Sequence, residues 1–254
     1  RLAGRVPYNG ISTTVRFEDY GAEIPSDTPP IGKEFLGQSF IGSGDLLVAA
    51  RTASYYQQRL ILSYEHGRDV NPVMKPGDIV ASKLGVPEEL KAPAIFNNNG
   101  AFQFTVPVTD GTPVVATLPM ERLIVFTERA VYAIRGGDQG ILTPLTVTPA
   151  LISEEGCSTT VEPKMAGKRG YFINNNHTKL MAIEFGLDGN LTVYDASIFS
   201  EHTLYDDVVQ LEVLGGGEDT VFLLRRDGKL VRVTSSVEGV HGFATMETGG
   251  YVES

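Results

Sequence analysis

Residue types that could do chemistry are present in this sequence, but their spacing does not suit it. The histidines form no His-x-x-x-His or Glu-x-x-His pair, which are spacings typical of metal ligands; they are His66, His177, His202 and His241. We therefore expect surface or hydrogen-bonded structural roles for them. Cys157 is the single cysteine, which excludes an intrachain disulfide, and we expect a buried structural thiol rather than a nucleophile.

The carboxylates and the glycine-rich segment also lack the patterns of an active site. Glu154 and Glu155 are adjacent, as are Asp206 and Asp207, and neighbouring residues on a strand point to opposite faces. The segment GGGEDT (215–220) lacks the placement of lysine and hydroxyl residues that a phosphate-binding loop requires. We predict no catalytic, cofactor-binding or metal-binding residues, although a site built from dispersed residues would leave no local motif.

Charge and composition narrow the classes of function. The formal net charge is −10 and no basic patch is visible, so binding that depends on neutralising nucleic-acid phosphates is disfavoured. No run approaches the roughly 18 apolar residues that suggest a membrane-spanning helix. The chain contains 28 glycines and 14 prolines with little helical periodicity, which favours an all-β protein.

Three hairpins repeat at nearly constant spacing in the second half of the chain. Each consists of an apolar strand, a polar tip and another apolar strand: ERLIVFTERAVYAIRGG (121–137), KRGYFINNNHTKLMAIEFG (168–186) and DTVFLLRRDGKLVRVTS (219–235). The first strands start near Leu123, Tyr171 and Val221, so the spacings are 48 and 50 residues. A period of roughly 40–50 residues built from antiparallel strands is typical of propeller blades.

This repeat predicts an all-β fold with a β-propeller built from antiparallel blades of roughly 45–50 residues and little helix. We place the propeller domain at residues 46–254. Residues 1–45 are interpreted as an irregular strap of strands and loops, part of a first blade or of a platform. Blade cores are predicted to contain Phe126, Tyr132, Phe172, Phe222 and Leu224.

Three further segments carry specific predictions. Apolar runs at Leu46–Ala50 and Tyr55–Tyr64 are predicted to be strands with a polar break between them. The segment Asp195–Leu211 has an imperfect helical period, and it predicts either a short helix or a connection leading into a strand over residues 208–214.

Two asparagine triplets, Asn97–Asn99 and Asn174–Asn176, each follow an aromatic and aliphatic run. Asparagine tolerates left-handed backbone geometry and hydrogen-bonds to nearby main chain, so it is favoured in turns. We predict that both triplets form turns at hairpin tips. The alternative, that they form a polar recognition surface, stays open.

From Glu121 onward the sequence resembles the tail nozzle proteins of short-tailed bacteriophages, also called tail tubular or phage stabilisation proteins. The likeness is carried by RLIVFTERAVYAIRGG, by Gly156-Cys157-Ser158 ahead of Pro163 and Gly167, by YDASIFSEH, and by LLRRDGKLVRVTSSVEGVHGFATMETGG. Upstream, YYQQRLIL resembles the phrase that opens a blade in that family. The resemblance extends over roughly residues 55–250, most of the chain.

The resemblance implies a structural virion protein with no enzymatic activity and no cofactor. Such a protein would form a homo-hexamer, extend the tail below the portal and the adaptor (head-to-tail connector), and hold tail fibres or spikes. DNA would pass through its acidic lumen during ejection without specific binding. The location implied is the virion tail, assembled in the host cytoplasm, with no membrane span.

The chain departs from this family in two respects. The family is rich in tryptophan, whereas this chain has none, and His241 and Phe243 lie where the family has such a residue. The family's proteins are usually longer, with a platform domain assembled from both chain ends. Arg59 and Arg122, each just ahead of a predicted strand, are expected to satisfy backbone or carboxylate groups between blades.

Two other functions remain open from the residues themselves. The chain could be a monomeric β-propeller binding module that recognises a glycan or a protein through loops such as the asparagine triplets. A propeller enzyme with a site built from dispersed carboxylates or histidines is the less favoured alternative.

Overall fold

The structure is a computed structural model that describes residues 34–35, 38–39, 50–64, 76–87, 89–90, 97–108, 111–137, 140–186, 189–204, 207–214, 220–235 and 241–247. The strands are β1 (Glu34–Phe35), β2 (Gln38–Ser39), β3 (Ala50–Tyr56), β4 (Arg59–Tyr64), β5 (Asp78–Ala81), β6 (Phe102–Thr105), β7 (Val114–Pro119), β8 (Leu123–Thr127), β9 (Val131–Arg135), β10 (Thr148–Ser153), β11 (Lys164–Ala166), β12 (Arg169–Ile173), β13 (Leu180–Phe185), β14 (Leu191–Asp195), β15 (Val208–Leu214), β16 (Thr220–Arg225), β17 (Leu230–Ser235) and β18 (His241–Met246). A short 3-10 helix, η1, spans Glu201–Thr203. The part of the chain that the structure describes contains no helix with the length and apolar character of a membrane span.

From β3 onward, the strands form four antiparallel four-stranded sheets, each made of strands consecutive in sequence. We number them in chain order: the first sheet holds β3–β6, the second β7–β10, the third β11–β14 and the fourth β15–β18. β1 and β2 pair with each other. The all-β class is confirmed, and the three predicted hairpins are the central strand pairs of the second, third and fourth sheets.

The sheets pack face to face in chain order. One apolar cluster lies between the first and second sheets, another between the second and third, and another between the third and fourth. Within β8, Leu123 and Val125 face the first sheet, whereas Ile124 and Phe126 face the third. Because both faces of this sheet are covered, its central strands are continuously apolar instead of alternating with polar residues.

Four of the five predicted core residues are buried. They are Phe126, Tyr132, Phe172 and Leu224, and the rings of Phe126 and Phe172 lie 5.1 Å apart between the second and third sheets. The prediction for Phe222 is wrong in part, because this side chain is only half-buried. Its neighbours Val221 and Leu223 point toward the third sheet, so alternation along β16 turns Phe222 to the opposite face.

Turns and connections lie at two opposite ends of the sheets. Gln57, in the β3–β4 turn, donates from Nε2 to the carbonyl oxygen of Gly140 and accepts at Oε1 from the Leu142 N–H, both at 2.8 Å. We call this the Gln57 end. The opposite end holds the β8–β9, β12–β13 and β16–β17 turns and the connections from each sheet to the next, and we call it the His177 end.

The polar break predicted before Tyr55 is misplaced. The chain turns two residues later, at Gln57 and Gln58, and the polar residues before Tyr55 belong to β3. Both glutamines have positive φ, 49° and 59°, a conformation uncommon outside glycine, asparagine and aspartate. The sequence therefore carries no turn signal at this position.

The described residues of the segment Asp195–Leu211 form the end of β14, a connection and the start of β15, with no regular α-helix among them. Turn residues 196–200 precede η1, and β15 then begins at Val208 and ends at Leu214. This confirms the predicted strand over residues 208–214. The predicted strap at residues 1–45 lies outside the described residues except for β1 and β2, and so does His66.

Candidate functional site: the junctions between sheets

The segment Gly156-Cys157-Ser158 joins the second sheet to the third at the His177 end. The Cys157 N–H donates to the Thr127 carbonyl oxygen at 2.9 Å, and the Ser158 N–H donates to the Ile173 carbonyl oxygen at 2.8 Å. The Cys157 side chain is fully buried, and burial raises the pKa of its thiol. The prediction of a buried structural thiol is confirmed.

Gly156 lies where two sheets approach too closely for a side chain. A Cβ at this position would overlap the carbonyl group of Glu128 and the nitrogen of Arg129, in the β8–β9 turn of the second sheet. On its other side, the Gly156 carbonyl oxygen accepts from the Asn175 N–H of the third sheet at 3.2 Å. The backbone contact therefore requires glycine.

Ser158 and His177 extend this junction to the fourth sheet. Ser158 Oγ lies 3.1 Å from His177 Nε2, and His177 Nδ1 lies 3.0 Å from the Val208 carbonyl oxygen. Because a carbonyl oxygen can only accept, these partners assign the ring proton to Nδ1 and make Ser158 the donor to Nε2. The hydrogen-bonded structural role predicted for His177 is confirmed.

The line of hydrogen bonds from Ser158 through His177 to the Val208 carbonyl oxygen resembles the arrangement that activates a catalytic serine. However, the Ser158 hydroxyl is buried, and a substrate could not reach it. The relative exposure of Ser158 is 1%. Its Oγ also accepts from the backbone N–H groups of Thr160 and Val161 at 3.2 and 3.1 Å. With these three partners around the oxygen, the arrangement ties two sheets together and offers no open approach to the hydroxyl.

We expect His177→Ala to lower the free energy of unfolding by about 1–2 kcal/mol, because the Val208 carbonyl and Ser158 hydroxyl lose a buried partner. Urea unfolding followed by circular dichroism would measure the change. His202→Ala is the matched control, since His202 is exposed and its loss should change stability by less than about 0.5 kcal/mol. Equal effects of the two substitutions would contradict the junction role of His177.

The second asparagine triplet forms a hairpin turn, as predicted. Asn174 is buried, and its Oδ1 accepts from the N–H groups of Thr178 and Lys179 at 2.9 and 3.0 Å across the β12–β13 turn. Asn175 and Asn176 are exposed at the tip. The first residue of the triplet thus fixes the turn, and the other two face solvent.

The first triplet also forms a turn, but not at a tight hairpin tip. Asn97 Oδ1 accepts from the Asn99 N–H at 2.9 Å, and the Gly100 N–H donates to the Asn97 carbonyl oxygen at 3.0 Å. This turn lies in the long connection between β5 and β6, directly before β6. The local turn prediction is confirmed, and the predicted tip position is wrong.

Arg59 holds this turn from inside the protein. Its guanidinium donates to the carbonyl oxygens of Ser82, Gly100 and Asn98 at 2.6, 2.7 and 2.9 Å, and it lies 5.1 Å from the Phe102 ring centroid. The side chain is 2% exposed, and burial lowers its pKa. Arg59 satisfies backbone groups as predicted, but they belong to its own sheet and not to a neighbouring one.

Arg122 makes the contact between sheets that the sequence predicts. Its Nη2 donates to the Gly189 carbonyl oxygen at 3.4 Å, and its guanidinium lies 5.7 Å from the centroid of the Phe185 ring. Both partners belong to the third sheet or its turn, whereas Arg122 precedes the second strand of the second sheet.

Sequence reasoning missed a polar cluster between the third and fourth sheets at the Gln57 end. Arg169 Nε donates to Glu184 Oε2 at 2.6 Å, and its Nη1 donates to Ser235 Oγ at 2.9 Å. Tyr194 donates from its hydroxyl to the same Glu184 oxygen at 3.4 Å. These residues come from four strands, so only the pairing of the strands brings them together.

His241 completes this cluster through aromatic neighbours. Its Nε2 lies 3.1 Å from the Tyr171 hydroxyl, and its ring centroid lies 5.8 Å from that of Tyr171 and 5.9 Å from that of Tyr194. The structural role predicted for His241 is confirmed, and His202 is exposed, also as predicted. The cluster contains an acid, a base and phenol groups, but its members bind one another across the interface.

The pKa of Tyr194 makes this cluster sensitive to alkaline pH. Burial first, and the Glu184 carboxylate second, raise the pKa of Tyr194 to about 12. A tyrosine in the unfolded chain titrates near about 10, so the unfolded state loses this proton before the folded state. The contribution of Tyr194 to the free energy of unfolding is therefore fully present below about pH 10 and is lost as the pH rises toward about 12.

We expect Tyr194→Phe to make the free energy of unfolding less steeply dependent on pH between about 10 and 12. Urea unfolding at a series of pH values would measure the slope. Tyr55→Phe is the control, because Tyr55 is exposed. A slope that Tyr194→Phe leaves unchanged would contradict this assignment.

Among the residues that the structure describes, no group of three or more histidine, cysteine, aspartate or glutamate side chains is placed to hold a metal ion. Asp207, from one of the adjacent carboxylate pairs, lies 3.4 Å from Arg226 in a surface ion pair. Glu155, from the other pair, lies 3.7 Å from Lys179.

No protein-family model matches the sequence, and no curated protein matches it. Among solved structures, the chain is similar to a luciferin-regenerating enzyme, with 10% sequence identity over 79% of this chain and 78% of that chain and a TM-score of 0.29. A superposition this loose carries no argument about this protein.

Proposed function

We propose that the chain is a structural subunit of a bacteriophage tail nozzle, in which the four stacked sheets are blades of a β-propeller. Subunits of this kind would assemble as a homo-hexamer below the portal and adaptor, conduct DNA during ejection, and hold fibres or spikes. The protein would act as a rigid wall and not as a catalyst.

One observation carries the proposal: the residues on which the resemblance to nozzle proteins rests also hold the sheets together. Gly156-Cys157-Ser158 connects the second, third and fourth sheets. The YDASIFSEH segment connects the third and fourth sheets. Arg225, in the LLRRDGK phrase, donates to the carbonyl oxygen of Thr203, next to that segment, at 3.0 Å.

Stacking and charge are consistent with a conduit wall. Each sheet meets the next through a buried apolar layer, an arrangement that suits blades following one another around an axis. The net charge of −10 disfavours adhesion of DNA, because binding to phosphates depends on basic side chains.

Mass photometry of the purified chain over a range of concentrations tests the proposal. A six-subunit species is expected, and its fraction should rise with concentration because assembly obeys mass action. Stable dimers or trimers without a larger closed species would contradict the nozzle proposal.

A monomeric binding module is the second candidate, favoured by the exposed Asn175 and Asn176 on a turn that buried Asn174 fixes. A glycan array distinguishes the two candidates. Binding to a defined sugar that is lost in the double variant Asn175→Ala, Asn176→Ala would favour recognition. The nozzle proposal predicts no change in assembly for that variant.

A further inference from the structure

The connection between the third and fourth sheets ends in an exposed apolar tip formed by Ile198 and Phe199. Their side chains are 58% and 93% exposed. The tip lies at the His177 end, because the Ala196 N–H donates to the Leu180 carbonyl oxygen and the Leu180 N–H donates to Ser197 Oγ. A large aromatic side chain with almost no intramolecular contact suggests an interaction site.

Hydrogen bonds fix the shape of this tip. Ser197 Oγ donates to Asp195 Oδ1 at 2.7 Å, and the Ser200 N–H donates to the Ser197 carbonyl oxygen at 2.7 Å. Leu204, which follows η1, is buried and anchors the connection in the core. An aromatic side chain on an ordered loop loses little backbone entropy on binding, which is typical of an interface anchor.

A second apolar patch lies at the Gln57 end of the second sheet. Ile141 and Leu145 are 50% and 75% exposed, whereas Leu142 between them is 1% exposed. The Thr146 N–H donates to the Thr143 carbonyl oxygen at 3.1 Å, which closes the turn that carries Leu145. This loop, like the tip, presents exposed apolar residues beside a buried leucine anchor.

Among the described residues, the charged side chains nearest in sequence to the tip and to the patch have opposite signs. Glu201 is exposed two residues after Phe199. Arg135 is exposed at the end of β9 and pairs with Thr148 at the base of the Leu145 loop. Neither Glu201 nor Arg135 forms an ion pair with another residue in the described part of the chain. The two surfaces are therefore complementary in both apolar character and charge.

We infer that the Ile198–Phe199 tip of one copy binds the Ile141 and Leu145 patch of a second copy, with Glu201 facing Arg135. The tip and the patch lie at opposite ends of the sheets, so one copy cannot satisfy its own patch. The contact is heterologous, and it generates a closed ring when the rotation between copies closes. This inference rests on the proposed function, since it names the surfaces through which a homo-oligomer assembles.

Sedimentation velocity over a range of protein concentrations compares wild type with Phe199→Ser and with Leu145→Ser. Each variant is expected to weaken self-association at least about tenfold, because an interface anchor contributes more than about 1.4 kcal/mol. Leu151→Ser is the matched control, since Leu151 is 54% exposed in the middle of β10, outside both surfaces. All three variants should keep the wild-type circular dichroism spectrum, because the replaced side chains are exposed.

Charge reversal tests the orientation of the contact independently. Glu201→Arg and Arg135→Glu should each weaken association, because like charges then face each other between identical copies. An equimolar mixture of the two single variants should recover association, since every contact between unlike copies joins opposite charges. The double variant carrying both changes should recover association, since the attraction is restored with reversed signs. A double variant no stronger than either single one would overturn the inferred contact.

The failure of this inference can be distinguished from that of the proposed function. Six-fold species that persist in Phe199→Ser and Leu145→Ser would overturn the inference and leave the nozzle proposal intact. Wild type could instead associate without reaching a six-fold species, and both variants could abolish that association. This result would support the contact and contradict the nozzle proposal. A wild-type chain that is monomeric at every concentration would overturn the contact.

Discussion

Gly156→Ala is expected to lower the free energy of unfolding by about 3 kcal/mol or more, at the upper end of what overpacking costs. The added methyl group would overlap backbone atoms of Glu128 and Arg129, and backbone cannot rotate away as a flexible side chain can. The β8–β9 turn and the Gly156-Cys157-Ser158 segment would have to separate. Cys157 and Ser158, whose N–H groups bond to the second and third sheets, would then lose their partners.

The corresponding fall in the melting temperature is about 6–12 °C for a protein of this size. Differential scanning calorimetry would measure it. Gly242→Ala is the matched control, because a Cβ there meets Thr234 Oγ1 at an ordinary contact distance of 3.4 Å. A Gly156→Ala variant as stable as Gly242→Ala would contradict the close approach of the second and third sheets.

Arg59→Met is expected to cost about 3 kcal/mol or more, because three carbonyl groups lose a charged donor and hydrogen bonds to charged groups contribute about 1.5–3 kcal/mol each. Methionine keeps much of the apolar stem of the arginine side chain. The loss of stability therefore measures the contribution of the guanidinium group. Arg59→Lys should recover little of this stability, since one ammonium group cannot reproduce the fork that reaches Ser82, Asn98 and Gly100.

Thermal unfolding of Arg59→Met, Arg59→Lys and Arg226→Met measures this effect. Arg226 is the matched control, because it is exposed and its surface ion pair with Asp207 should contribute less than about 1 kcal/mol. An unchanged melting temperature for Arg59→Met would show that the 97–100 turn does not depend on the buried guanidinium.

Local patterns in the sequence predicted the three central hairpins, the strand over residues 208–214 and four of the five named core residues. The apolar runs on either side of Asp227 and Gly228 predicted the β16–β17 hairpin, and Gly228 has the positive φ of 78° that such a turn needs. Continuous apolar runs such as β8 predicted buried strands. The face that each residue occupies was harder to predict, as Phe222 illustrates, because it depends on which sheet covers which side.

The junctions could not be predicted because their partners are far apart in sequence. Ser158 and His177 are 19 residues apart, and Arg169 and Ser235 are 66 apart. No local period relates such pairs, and only the register of the sheets brings them together. The β3–β4 turn was missed for a different reason, since Gln57 and Gln58 adopt a conformation that their residue type rarely takes.

Negative-stain electron microscopy of the purified chain tests the central claim most directly. We expect ring-shaped particles with six-fold class averages and a central channel, more abundant at higher protein concentration. Class averages that show only globular monomers, under conditions in which the chain is folded by circular dichroism, would contradict the claim that this chain assembles the wall of a nozzle.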